Sequence, residues 1–171
     1  MMIKKLLLSV LFIFAVGVFY LFTQSQNLME IESEIEIAAP ADKVWAVITD
    51  IENWSEFNSA ISASTGIAEK GSVHSVTMRG EEPGSAGPQY APEIIVFDEG
   101  KSYRWRAVMG AGIIFTNDKV FELIPTDTGT LLKHNEVFNG MMLPLMKGFM
   151  QQGVPPILEE MNQAFKSETE K

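Results

Sequence analysis

From Ile31 the chain alternates. Ile31, Ser33, Ile35 and Ile37 fall between Glu32, Glu34, Glu36 and Ala38. A period of two sends successive side chains to opposite faces of a strand, so one face is buried and the other solvated. Ala39-Pro40 stops this strand, and Pro40 suits the first turn of a helix, where its missing N–H has no partner to lose. Beyond it the period changes. Val44, Val47, Ile48 and Ile51 stand at i, i+3, i+4 and i+7, the stripe of an amphipathic helix. A second short helix follows, with Trp54 and Phe57 on its buried side.

The remaining pattern is mostly strands. Residues 61–67 and 73–79 read as two strands separated by the turn Glu69-Lys70-Gly71. Residues 80–89, GEEPGSAGPQ, are rich in Gly and Pro and predict a mobile loop. Strands follow at 93–98, 102–109, 114–124 and 130–138, with hairpin turns at Glu99-Gly100 and at 126–129. Such evenly spaced hairpins predict one antiparallel, strongly curved sheet. The last element spans residues 140–166. Its apolar stripe comprises Met142, Leu145, Met146, Phe149 and Met150, then Ile157, Leu158, Met161 and Phe165. Gly153, Pro155 and Pro156 predict a kink or interruption within it.

Ahead of all this lies a segment of another kind. Residues 6–22, LLLSVLFIFAVGVFYLF, carry no charge and follow Lys4 and Lys5. As a helix they reach about 26 Å at roughly 1.5 Å per residue, the short end of a transmembrane span. A cleaved signal peptide has an apolar core of about 7–15 residues and a small-x-small cleavage site. Thr23-Gln24-Ser25 is a poor match to that site. A retained transmembrane anchor (or uncleaved signal) is therefore favoured over secretion after cleavage. The positive-inside rule then places the N-terminus in the cytoplasm and the domain outside. The expected organisation is a basic start at 1–5, the anchor at 6–22, a tether at 23–28, one domain at 29–166 and a polar tail at 167–171.

Charge narrows the function classes. The chain of 171 residues has net charge −9, and all 22 acids follow the apolar segment. The part beyond that segment carries 11 bases and a net charge of −11. Such a surface argues against binding phosphate backbones or adhering to anionic lipid by charge. There is no Cys and there are two histidines, His74 and His134. No disulfide framework, thiolate metal site or typical zinc site follows from them, and no metal or cofactor is expected.

The order strand, AP-xx-VW-x-(V/I)-x-D-x-x-x-W and short helix over residues 31–58 resembles the START-like helix-grip (SRPBCC) superfamily. The second half extends the resemblance. Trp105-Arg106, Phe121-Glu122-Leu123-Ile124-Pro125, Thr130, His134, Glu136, Phe138-Asn139-Gly140 and Pro144 look like its polyketide cyclase/dehydrase-like branch. Together these features cover residues 29–165. The resemblance implies an α+β helix-grip fold: a curved antiparallel sheet around a long C-terminal helix, here preceded by one transmembrane helix. It implies a container for apolar molecules. The family often has His two residues before the phenylalanine of its FEL motif, and this chain has Lys119.

Parity places candidate residues. Phe115, Asn117, Lys119, Phe121 and Leu123 share one strand face, as do Leu132, His134, Glu136 and Phe138 on the next strand. Their apolar members point both faces inward. Asn117, Lys119, His134 and Glu136 are then polar groups on an apolar wall, which need partners. They can be a satisfied structural network, a patch that orients a ligand, or an acid–base set with Glu136 or His134 taking a proton. Tyr103 and Trp105 share a face and join Phe115, Asn117, Phe121, Phe138, Met142, Met146, Phe149 and Met150 as expected cavity residues. The methionines suit a cavity for varied apolar ligands and equally suit ordinary core filling. Trp45 and Trp54 read as packing residues, and His74 as a structural strand histidine.

The chain lacks G-x-S-x-G, G-x-x-x-x-G-K, H-E-x-x-H and dinucleotide fingerprints. Three functions stay open. The first is a membrane-anchored binding domain for a small apolar or lipid-like ligand. The second is a cyclase- or dehydratase-type enzyme using Glu136, His134 and Lys119. The third is an anchored module that binds a protein partner through its acidic surface.

Overall fold

A computed structural model describes residues 2–24 and 28–171. Most of the expected tether lies outside the described residues. Helix α1 (Met2–Gln24) contains the apolar span Lys4–Thr23, whose side chains are not buried against the rest of the protein. The span is long and apolar enough to cross a membrane. Among the described residues, none of α1 belongs to either apolar core of the domain that follows.

The alternating segment forms β1 (Met29–Ile31) and β2 (Glu34–Ile37), both antiparallel to β9 (Thr130–Asn139). The register is continuous across the break, since Ile31 faces Glu136 and Glu34 faces Lys133. Pro40 then starts α2 (Ala41–Thr49), which buries Val44 and Ile48 as the 3.6-residue period requires. A 3₁₀ turn (Ile51–Asn53) leads into α3 (Trp54–Phe57), which buries Trp54.

The strands form two antiparallel sheets rather than one. The larger runs β1-β9-β8-β7-β6, with β2 also on β9; its remaining members are β6 (Glu93–Asp98), β7 (Ser102–Met109) and β8 (Phe115–Pro125). The smaller runs β3-β4-β5, from β3 (Ile61–Thr65), β4 (Ser75–Arg79) and β5 (Ala86–Tyr90). They meet at the bridge Val73 to Glu93, where the Gly71 amide donates to the Ile94 carbonyl, the Ile94 amide to that of Ser72 and the His74 amide to that of Pro92. β3 ends just before Gly66, whose backbone is left-handed (φ +122°). A Cβ there would lie 2.6 Å from that of His74, so only glycine allows the two segments to approach.

Further expectations need correction. Part of the predicted mobile loop is strand β5, paired with β4. Gly87 permits this because a Cβ would meet the Arg79 carbonyl at 2.6 Å. Pro88 is tolerated because β5 is an edge strand. The last helix, α4 (Leu143–Thr169), continues through Pro155 and Pro156 without interruption. It also runs into the expected polar tail. Thr169 is buried and bonds back to the Phe165 carbonyl, while Glu170 accepts from the Ala38 amide and from Lys166 Nζ.

α4 lies along the concave face of the larger sheet and contributes to two apolar clusters. The larger contains Val44, Ile48, Trp54, Tyr103, Trp105, Phe121, Leu132, Met161 and Phe165. The smaller contains Met29, Phe115, Phe138 and Leu143, with Ile31, Met146, Met150 and Val154 against it.

Candidate functional site

The expected parity holds along the concave face. On β8, Phe115, Lys119, Phe121 and Leu123 are buried and Asn117 is half-buried; on β9, Thr130, Leu132, His134, Glu136 and Phe138 are buried. Register sets these residues in rows: Tyr103, Phe121 and His134, then Trp105, Lys119, Glu136 and Ile31, then Ala107, Asn117, Phe138 and Met29. The first row is tightly packed. Tyr103 stacks on Phe121 at 4.5 Å, Phe121 stacks on His134 at 4.3 Å, and Trp54 and Phe165 close over them. The Tyr103 hydroxyl donates to the Ile48 carbonyl at 2.8 Å, and burial raises its pKa well above the ordinary tyrosine range. Tyr103 and Phe121 are therefore the floor of the interior, already in ring contact.

The second row is charged. Lys119 Nζ lies 2.7 Å from Glu136 Oε1, with 7% and 11% of their side chains exposed. Asn117 Nδ2 donates to Glu136 Oε2 at 2.9 Å, so both carboxylate oxygens are occupied. Lys119 also donates to Met161 Sδ at 3.5 Å and stands 5.8 Å from the centre of the Trp105 ring. An ammonium has three N–H donors. Two have partners among the described residues, which leaves one available to an acceptor. Tyr90, on β5, lies within electrostatic reach: burial, then the Glu136 charge, raises its pKa.

A second network holds His134. Its Nδ1 lies 2.8 Å from Asn162 Oδ1, and Asn162 Nδ2 donates to Ser33 Oγ at 2.9 Å. With Asn162 oriented by Ser33, His134 Nδ1 carries the hydrogen and Nε2 presents a lone pair. Nε2 is buried and without a partner among the described residues. Burial, then the Lys119 charge, lowers the His134 pKa well below the ordinary value, and the bond to Asn162 opposes them. His134 is thus neutral. His74 faces inward as well, against Trp105 at 4.4 Å, with both ring nitrogens unpartnered among the described residues. Burial lowers its pKa to about 4.

The methionine helix splits between two environments. Met146 and Met150 pack against the smaller apolar cluster, near Phe115 and Phe138. Phe149 and Met142 instead lie on the exposed side of α4, Phe149 at 74% exposure. The structure thus brings together Lys119, Glu136 and Trp105 in one row, with Asn117 reaching Glu136 from the next, and Phe115, Phe138, Met146 and Met150 beside them. Phe149 and Met142 stand apart. Tyr90, Asn162 and Ser33 were not singled out from sequence. Asn162 had a signal, a polar residue inside the stripe Leu158–Phe165; Tyr90 had none, lying at the end of a Gly/Pro-rich stretch. Two open clefts, one beside Trp45 and Phe97 and one beside Pro40 and Thr128, lie at the far end of the fold and not at this polar row.

Comparison with known proteins places this arrangement. No curated protein sequence matches the chain. Among solved structures, the Zhui aromatase/cyclase from Streptomyces sp. R1128 superposes with a TM-score of 0.65 at 16% identity, over 84% of this chain and 94% of that one. A norcoclaurine synthase point mutant from Thalictrum, in complex with a transition-state analogue, gives 0.63 at 17% identity, over 84% and 94%. The di-domain aromatase/cyclase StfQ of the steffimycin pathway gives 0.66 at 12% identity over 84% of this chain, which spans only 51% of that protein. At such identities these likenesses are of fold. A family profile described as polyketide cyclase/dehydrase and lipid transport matches residues 29–170, nearly the whole domain, so the chain belongs to that family.

Proposed function

We propose that the domain binds a small apolar or lipid-like molecule bearing an oxygen acceptor at one end, and that α1 anchors it beside a membrane. The carrying observation is the buried row Lys119–Glu136–Asn117 at the boundary between the two apolar clusters. A buried ion pair is costly against apolar residues of equal size, so it is a poor device for stability alone. Here it keeps one ammonium hydrogen available. The ligand's apolar body runs from there past Phe138, Met146 and Met150. Met side chains adapt to varied shapes at low cost. Their packing against Phe115 and Phe138 gives way more easily than the interlocked rings around Phe121. Native mass spectrometry of residues 27–171, after exposure to a membrane extract, tests this. A retained adduct is expected; a bare protein under conditions that keep it folded counts against the proposal.

The unpartnered His134 Nε2 favours a second reading, a cyclase- or dehydratase-type enzyme. Glu136 is a poor base there, because both of its oxygens are engaged. His134 Nε2 has no partner among the described residues, so it is the group with a lone pair open to a proton, although the burial and Lys119 charge that keep it neutral also weaken it as a base. Under this reading His134→Gln abolishes turnover of a poly-β-ketone substrate while Glu136→Gln weakens binding. Turnover unchanged in His134→Gln would sink it.

A further inference from the structure

Both apolar segments that cap one end of the domain lack acids. Residues 108–117 contain no charge, and residues 137–158 contain Lys147 alone, in a chain with 22 acids. Between them they expose Val108, Met109, Ile113, Ile114, Leu145 and Phe149, at 43–74% of their surfaces. The two segments form one continuous tip: the Met141 amide donates to the Ile113 carbonyl at 3.0 Å and the Met142 amide to that of Ile114 at 3.1 Å. Gly140 (φ +123°) makes this contact possible, since a Cβ would lie 2.4 Å from the Ile114 oxygen.

The same end receives the chain from α1. Met29 pairs with Phe138, and β1 runs antiparallel to β9, so the chain preceding Met29 leaves toward the tip. Five residue steps separate Gln24 from Met29. Whatever their conformation, they span at most about 18 Å. The β1-to-β7 distance is about 14 Å at roughly 4.8 Å per strand. The whole tip is therefore within reach of the surface at which α1 ends. Isolated exposed apolar residues are ordinary, whereas a contiguous acid-free patch on an acidic domain marks an interaction surface.

We infer that this tip docks onto the lipid bilayer, with residues 108–114 and the first turns of α4 in the headgroup region. The inference rests on α1 being a membrane anchor, and it adds which end faces lipid. The row Lys119–Glu136–Asn117 then lies just behind the docked end, so a ligand passes from the bilayer to its site without crossing water.

The chain has no Cys, which permits single-site labelling. Ile113→Cys, Phe149→Cys, Val16→Cys and Glu99→Cys, each in the full chain carrying an environment-sensitive fluorophore, are reconstituted in phosphatidylcholine/phosphatidylglycerol vesicles with or without a nitroxide-bearing lipid. Docking predicts blue-shifted emission at 113 and 149 and quenching by the nitroxide lipid, with Glu99→Cys aqueous. Aqueous labels at 113 and 149 overturn it. Labels shielded from water yet unquenched by the lipid also overturn it, since a second protein copy then covers the tip. Val16→Cys reads the anchor separately: quenched there with aqueous labels at 113 and 149, the anchor stands and the docking falls; unquenched there, the anchor falls and the inference falls with it.

Discussion

Replacing Glu136 by Gln leaves the Lys119 ammonium buried without its counter-charge. With the ion pair at 2.7 Å and side chains only 7% and 11% exposed, solvent relieves little of that loss. Removing one partner of such a pair costs about 3–5 kcal/mol. Lys119→Met leaves the Glu136 carboxylate with Asn117 alone and predicts a loss of similar size. The double variant Lys119→Met/Glu136→Leu removes both charges, and comparable replacements are neutral or stabilising by about 1–4 kcal/mol. The cycle therefore predicts two destabilised single variants and a double variant at least as stable as the original protein. Urea unfolding of residues 28–171, followed by tryptophan fluorescence and far-ultraviolet circular dichroism, measures it; neither apolar core includes a described residue of α1. Single variants within about 1 kcal/mol of the original, the range of an exposed pair, would refute the reasoning. A double variant that stays folded but loses its ligand would separate the pair's role in binding from any role in stability.

Other outcomes follow from the same geometry. His74 titrates near 6.5 in the unfolded chain and near 4 in the folded one. Its contribution, about 3 kcal/mol, is present above pH 6.5 and is lost as pH falls toward 4; His74→Phe should flatten that part of a stability–pH profile measured by urea unfolding. Asn162→Ala strips His134 Nδ1–H of its buried acceptor and should cost about 1–3 kcal/mol by the same assay. Gly66→Ala forces a Cβ against His74 at an unfavourable φ and should cost more than about 1 kcal/mol in thermal unfolding.

Sequence reading reached furthest where one period dominates. The change from alternating Ile31–Ile37 to the stripe Val44–Ile51 marks the strand-to-helix transition, and parity placed Lys119 and Glu136 on the inner wall. It did not reveal that they pair. That depends on register, which sets Lys119 opposite Glu136 but leaves His134 beside Phe121. β5 was illegible because Gly and Pro signal a turn, while an edge strand tolerates both. In α4 the apolar residues cover too wide an arc to identify the buried side. Met146 and Met150 pack against the inner cluster, whereas Leu145 and Phe149 lie on average about 100° round the helix and remain exposed.

The central claim is that a ligand lies between Lys119 and the methionines of α4. Methyl-labelled methionine spectra of residues 28–171, titrated with a total membrane lipid extract, test it most directly. The account predicts shifts at the Met29, Met146, Met150 and Met161 methyls, and none of them in Lys119→Met/Glu136→Leu. Unmoved Met146 and Met150 methyls, with shifts confined to residues outside the concave face, would contradict it.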